Sequence, residues 1–213
     1  MKCGKRILAA AVVLLAVFCT GCGENGTRPE VVVDGVSIEV GKTIPKDLIE
    51  AGMVIDERGF DSMDLPKRSW SSSIYFGRTV PPDAETEKQA EEAGVDPALF
   101  STVSSRGRIA IANASSSSKQ AKLCKIEEVD FFNLEQEYVD YNVTINGINV
   151  VRMTEEEMQQ NFSGLEKDPE KNIADETVYY QKDGDYTIEF TCYDGMVTGV
   201  SVLREFGKSY MPA

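Results

Sequence analysis

The sequence predicts an α+β fold made of two related hairpin-helix-antiparallel-sheet units, the first interrupted by a helical insertion. Three observations predict it. Val31-Val-Val-Asp34-Gly35-Val-Ser-Ile-Glu-Val40 is two short apolar runs around Asp-Gly, and Asn142 to Val151 repeats the plan around Asn146-Gly147, about 111 residues later. Asp-Gly and Asn-Gly are strong hairpin signals, because both central residues of a type I′ turn need positive φ. Each hairpin is followed by a short helix signal bracketed by cap residues. Near the C-terminus, apolar and polar residues alternate over three runs, the pattern of a sheet with one wet face.

The chain opens with an export signal. Lys2, Lys5 and Arg6 precede twelve apolar residues, Ile7 to Phe18, and then Cys19-Thr-Gly-Cys22. Crossing ~30 Å of hydrocarbon takes about 20 apolar residues, so this segment is too short for a membrane span and fits a signal peptide of residues 1–21. Thr20-Gly21-Cys22 resembles the small-residue end of a bacterial lipoprotein signal. That makes Cys22 the expected lipid-attachment residue, because two acyl chains on it would anchor the chain stably. Residues 22–30 are polar, contain Gly and Pro, and read as a tether.

The first unit is expected over 31–134. After its hairpin, Pro45 to Ala51 reads as a helix with Thr43 near its N-cap and Gly52 just past its end. Its strands are expected at 73–80, 108–112 and 121–129. An insertion at about 81–104 holds a polar helix over 83–93, expected to lie on the surface because it lacks an apolar stripe. Serine clusters at 71–73, 104–105 and 115–118 are expected to be loops. The second unit is expected over 135–206, with a tail at 207–213. Thr154 and Glu157 form a capping box before a short helix. Strands follow at 176–182, 185–193 and 196–205, separated by Asp183-Gly184 and Asp194-Gly195.

Charge and composition narrow the function. The chain has 22 basic and 35 acidic residues, and removing the three basic signal residues leaves 19 against 35, a net charge of −16. Such a chain is repelled by nucleic acid, so no nucleic-acid partner is expected. There is no histidine, which removes the commonest general base and zinc ligand. No cofactor or metal ligand set stands out. Gly41-Lys42-Thr43 lacks the first glycine and the strand-loop-helix setting of a phosphate loop. Ser116-Ser-Ser-Lys119 lacks the partner motifs of a penicillin-recognising acyl enzyme. The acidic stretch Asp56 to Asp64 misses the calcium-loop spacing. Four Asn-x-Ser/Thr sequons, at Asn25, Asn113, Asn142 and Asn161, carry no weight in a bacterial export product. No catalytic residues are expected, and the chain is read as a non-enzyme.

Five cysteines occur, of which Cys3 and Cys19 leave with the signal and Cys22 is the anchor. Cys124 and Cys192 either pair as a disulfide or stay as two thiols. The alternation Tyr186, Ile188, Phe190, Cys192 puts Cys192 on an apolar face, where a buried thiol acts as a small hydrophobe. Trp70 is the only tryptophan. With Tyr75 and Phe76 it forms the candidate interaction surface, since tryptophan and tyrosine are enriched at binding hot spots. The insertion helix would neighbour that surface if it folded over the same end of the sheet.

Thr154-Glu-Glu-Glu-Met158, Val178-Tyr-Tyr180 and Tyr193-Asp-Gly-Met-Val-Thr-Gly-Val200 resemble the repeat of the β-lactamase-inhibitor-protein-like fold and of small outer-membrane assembly lipoproteins. Gly41-Lys-Thr43 with Asp47-Leu-Ile-Glu-Ala-Gly52 makes the whole chain similar to surface lipoproteins of Gram-positive anaerobes. The resemblance implies binding architecture rather than a reaction. The expectation is a lipid-anchored protein on the extracytoplasmic face of a bacterial membrane, acting as a binding module for an envelope or extracellular protein or glycan. The alternatives are an assembly lipoprotein of an envelope complex and an envelope hydrolase.

Overall fold

Asp34-Gly35 and Asn146-Gly147 both turn with positive φ, at 48° and 79° and at 52° and 79°. They close β1 (Val31–Val33) onto β2 (Val36–Ile38) and β9 (Val143–Ile145) onto β10 (Ile148–Asn149). The computed structural model describes residues 26–171 and 175–205. Cys22, the expected signal peptide of residues 1–21 and the expected tail 207–213 lie outside the described residues.

Helix α1 (Pro45–Glu50) follows the first hairpin. Its entry is fixed by the Asp47 carboxylate, which accepts from the Ile44 N–H at 3.0 Å. Thr43 is therefore not its N-cap; its hydroxyl instead accepts from the Glu39 N–H at 2.8 Å and closes the preceding turn. Gly52, at φ 84°, ends the helix as expected. Then come β3 (Val54–Asp56), β4 (Asp64–Leu65), β5 (Ser69–Val80), α2 (Ala84–Glu92), β6 (Thr102–Asn113), β7 (Lys119–Gln120) and β8 (Lys125–Phe132). After the second hairpin come α3 (Glu155–Asn161), β11 (Glu166–Lys167), β12 (Glu176–Asp183), β13 (Tyr186–Tyr193) and β14 (Met196–Arg204). The expected capping box opens α3: Thr154 Oγ accepts from the Glu157 N–H at 3.2 Å, and Glu157 Oε2 accepts from the Thr154 N–H at 2.9 Å.

The strands form one eight-stranded antiparallel sheet, ordered β11-β12-β13-β14-β8-β6-β5-β3, and one four-stranded sheet, ordered β10-β9-β1-β2. Strands β4 and β7 make a separate pair. The fold is α+β and mainly antiparallel β. Both sheets are shared between the two halves of the chain, a point the sequence left open. In the small sheet β1 pairs with β9, Val32 opposite Thr144. In the large sheet β8 pairs with β14, Val129 opposite Val202. Each half supplies a hairpin, a helix, a short edge strand and three long strands, in the same order. The two halves meet at like strands, so the molecule carries a pseudo-twofold relation.

Cross-strand partners lie on the same face of a sheet. The row Ile74, Ile109, Val129, Val202, Ile188 crosses five strands and is buried throughout. It faces the small sheet (Val31, Val33, Val143, Ile145) and the helices, whose Leu48 and Met158 join the same apolar cluster. Phe162, just past α3, packs on Phe190 with ring centroids 4.7 Å apart. Full burial of each such side chain contributes about 1.5–3 kcal/mol, so this row and its cover dominate the stability. The neighbouring row lies on the opposite, polar face: Tyr75, Arg108, Asp130, Ser201, Glu189, Tyr180 and Glu166, of which Asp130 is buried.

Several expected loops are strand. Ser71–Ser73 and Ser104–Ser105 lie within β5 and β6. Ser73 has φ 64° at an irregularity where three steps along β5 match two along β6. This bulge lets β5 continue and re-aims its side chains. The third cluster, Ser115–Ser118, is a loop, organised by Asn113, whose side chain donates to the carbonyls of Leu65, Pro66 and Ser117. The last strand of the first unit starts later than expected, because Ala121–Leu123 is a 3-10 turn.

The insertion leaves β5 at Val80 and returns at Thr102, which are opposite each other. Asp83 caps α2 by accepting from the Thr86 N–H at 2.8 Å, and only Ala90 of that helix is buried. Trp70 pairs with Ala112 at the other end of the same two strands. Ten residues at 3.2–3.4 Å each separate Trp70 from Val80, about 30 Å. The insertion helix is thus not a neighbour of Trp70, since the length of β5 keeps them apart.

Candidate functional site

The three aromatic residues expected to form one surface divide between the two faces of the sheet. Tyr75 and Trp70 are on the wet face, 44% and 50% exposed. Phe76 is fully buried, edge-on to Phe131 with centroids 6.4 Å apart. Phe76 is removed from the candidate surface: successive strand residues point to opposite faces, so Tyr75 outside requires Phe76 inside. The partners of Tyr75 and Trp70 are Arg108 and Ala112, four residues apart along β6, which puts the two aromatics about 13 Å apart. Trp70 does not line the groove to which Tyr75 belongs.

That groove has a volume of about 590 Å³ and lies where β5, β6 and β8 meet the connection 133–142. Its walls include Tyr75, Phe132, Tyr138 and Tyr141, with Arg106 and Arg108 between them. A volume of 300–1,000 Å³ with aromatic walls and a few fixed polar groups is the usual form of a ligand site. A second cleft, about 390 Å³, adjoins it across Phe132 and includes Tyr193, Thr191 and Glu135. Phe132 is thus a ridge between two clefts on one open sheet face.

Two glycines let the floor form. A Cβ on Gly107 would sit 2.5 Å from the Asp130 carbonyl oxygen, and one on Gly77 would sit 2.1 Å from that of Ser104. Only glycine allows this approach of backbones. The same place carries a bulge, with one step on β5 between Phe76 and Gly77 matched by two on β6. The extra residue is Arg106, and the bulge turns it off the row occupied by Arg108.

Arg106 is buried, and every charge around it is matched. Its Nε donates to Asp34 Oδ2 at 2.9 Å, and its Nη1 to Ser104 Oγ at 2.8 Å and Asp140 Oδ1 at 3.1 Å. Its guanidinium lies over the Tyr141 ring, 4.8 Å from the centroid. Burial beneath it raises the Tyr141 phenol above its ordinary pKa. Asp34 also accepts from the Asn142 N–H at 3.2 Å, and its carbonyl accepts from Arg78 Nη2 at 3.1 Å. The hairpin turn, the large sheet and the connection between the halves are therefore tied at one carboxylate. Arg108 is paired in turn with Asp130 at 2.8 Å and stacks on Phe132, 4.9 Å from its centroid. The groove is rich in guanidinium but close to neutral.

Behind Arg108 lies a pair of carboxylates. Ser201 Oγ donates to Asp130 and lies 3.5 Å from Glu128 Oε1. Burial, then repulsion from Asp130, pushes the Glu128 carboxyl up to about 7. A shifted carboxylate beside a cleft is a candidate acid or base. Here neither Glu128 nor Asp130 lines either cleft, and Asp130 is held by Arg108 and Ser201.

Cys124 and Cys192 are both buried free thiols, so the disulfide left open by the sequence does not form. Cys124 lies 3.4 Å from the Gln120 carbonyl, and Cys192 lies 3.9 Å from the Met158 sulfur. Burial raises both thiols, Cys192 to about 12, which keeps them protonated and unreactive. Among the described residues no group of three His, Cys, Asp or Glu side chains is placed to hold a metal ion. No helix among them is long and apolar enough to cross a membrane.

Sequence reasoning missed Arg106, Arg108, Phe132, Tyr138 and Tyr193 as site residues. One signal was present: Arg106-Gly-Arg108 places two cations inside a strand, which calls for carboxylate or aromatic partners. Comparison with protein-family models, with curated proteins and with solved structures yields no match.

Proposed function

We propose that this chain is a lipid-anchored binding module on the extracytoplasmic face of a bacterial membrane. The anchor rests on Thr20-Gly21-Cys22 after a short apolar segment. The binding reading rests on one observation: two clefts joined at Phe132 on an open sheet face, walled by exposed aromatic residues. Exposed aromatics beside fixed guanidinium groups make the composition of a binding hot spot. The module is read as non-catalytic, because the arginines of the first cleft are paired with Asp34, Asp140 and Asp130, and Glu128, whose carboxyl is pushed up, lines neither cleft. Two tandem hairpin-helix-sheet units joined in one sheet also agree with the β-lactamase-inhibitor-protein-like resemblance, which implies binding architecture.

The anchor is tested by palmitate labelling and membrane fractionation of wild type and Cys22→Ala. Wild type is expected to carry label and sediment with membranes, and the variant to do neither. Equal labelling of the two refutes the anchor. The module is tested by crosslinking on intact cells with wild type and a Tyr75→Ala/Phe132→Ala/Tyr193→Ala variant. An unchanged crosslinking pattern refutes a role for this face.

A further inference from the structure

We propose that the two joined clefts form one track for an extended, uncharged oligosaccharide. This rests on the binding-module reading and names its ligand class.

The argument starts from spacing. Tyr75 is on β5, Phe132 on β8 and Tyr193 on β13. From β5 to β8 is two strand positions, and from β8 to β13 is two more. Register sets their offset along the strands. Tyr75 is in the row of Arg108 and Asp130, and Phe132 is two residues beyond Asp130, in the row of Gly199 and Thr191. Tyr193 is two residues beyond Thr191. Each step is therefore two strands across and two residues along, and the three rings mark one diagonal. With strands 4.7–4.9 Å apart and 3.2–3.4 Å per residue, consecutive rings recur about every 10–12 Å.

That repeat selects among chain-like ligands. An extended peptide presents side chains to one side about every 6.6–6.8 Å, so it falls out of step with these rings. Two pyranose rings in an extended chain span a length close to the ring repeat. The apolar C–H face of every second sugar then meets an aromatic residue. The rings are available: Phe132 is 42% and Tyr193 50% exposed. The Arg108 guanidinium over one side of the Phe132 ring holds that ring in place.

Polar and charge chemistry agree with a hydroxyl-bearing, uncharged chain. Glu135 and Glu176 bring carboxylates to the second cleft, acceptors for sugar hydroxyls that would also repel an anionic chain. Asn133, Thr191 and Thr198 add neutral donors and acceptors there. The arginines of the first cleft are already paired with Asp34, Asp140 and Asp130. An acidic polysaccharide would therefore meet no free cation and a chain of net charge −13.

Isothermal titration with cellohexaose, chitohexaose and mannohexaose tests the inference, with hexagalacturonate as the anionic probe and Trp70→Ala as the control variant. At least one neutral hexasaccharide is expected to bind, its disaccharide at least tenfold more weakly. Phe132→Ala and Tyr193→Ala should each weaken binding at least tenfold, Trp70→Ala should not, and 0.5 M NaCl should change affinity less than twofold. Absence of binding to all three neutral probes overturns the proposal. So does binding unaffected by Phe132→Ala and Tyr193→Ala, or a preference for hexagalacturonate. If the neutral probes fail while the triple variant loses protein crosslinks on cells, the glycan is refuted and the binding module stands.

Discussion

Replacing Asp34 by Asn should destabilise the protein by about 2 kcal/mol, chiefly by leaving Arg106 undercompensated. The two side chains are 19% and 8% exposed and meet at 2.9 Å. Removing one partner of a buried ion pair costs about 3–5 kcal/mol. Three features reduce that here. Asn tolerates the positive φ of 48° that the turn demands. Its amide oxygen can still accept from Arg106 and from the Asn142 N–H. Asp140 still faces Arg106 at 3.1 Å, though at 73% exposed it is a weak replacement. Asp34→Ala loses both side-chain acceptors and should cost about 3–4 kcal/mol. Urea unfolding followed by Trp70 fluorescence reads both. The cycle with Arg106→Met should return a coupling of at least about 1 kcal/mol for residues in direct contact. Because the pair is sheltered, 0.5 M NaCl should remove little of the effect. An Asp34→Asn loss under ~0.5 kcal/mol, or additive single effects, would refute the view of Asp34 as the tie between the halves.

Two further perturbations test other parts of the molecule. Glu128 holds its proton more tightly in the folded state, up to about 7 against an ordinary 4.5. The folded protein thus binds more protons between these values, and its stability falls as pH rises through that window. Glu128→Gln should be indistinguishable from wild type at pH 4, below the ordinary value of 4.5. At pH 8 it should be more stable by about 1–2 kcal/mol, after allowance for the water that still reaches this side chain. A difference that does not change with pH would sink the assignment. Excising residues 82–101 and closing β5 on β6 with Asn-Gly should change stability by less than ~1 kcal/mol, since α2 buries only Ala90. A loss above ~3 kcal/mol, the cost of a large core side chain, would show that the insertion supports the sheet.

The hairpins, the α3 capping box and the last three strands were legible because each rests on residues close in sequence. Asp34-Gly35 and Thr154 to Glu157 act over two to four positions, and the alternation of Tyr186 to Cys192 reports one face directly. The pairing of β1 with β9 and of β8 with β14 joins residues 67 or more apart, with nothing local to announce it. Strands of two or three residues, such as β3, β4, β7 and β11, are too short to show a period. Phe76 was misplaced although it lies within the expected strand 73–80: neighbours in a strand point to opposite faces, so Tyr75 and Phe76 cannot share a surface. Ser71–Ser73 hid a different feature, the continuation of that strand through a bulge to Ser69. The clefts were illegible for the same reason as the sheet pairing: Tyr75, Phe132, Tyr138 and Tyr193 belong to four separate segments. Only the fold lines them up.

The meeting of the two halves at like strands has a consequence for how the chain comes to be. When the first half has been made, β1 and β8 each present a row of backbone groups with no partner. Those groups wait for β9 and for β14, the last long strand of the chain. A newly made first half is therefore sticky along two lines, and its natural complement need not come from its own chain. A second molecule offers the same β9 and β14. What makes the internal match win is the reach of residues 133–142. Shortening that connection would leave every strand pair available while denying it within one chain. The expected product is a reciprocal dimer in which each molecule completes the other.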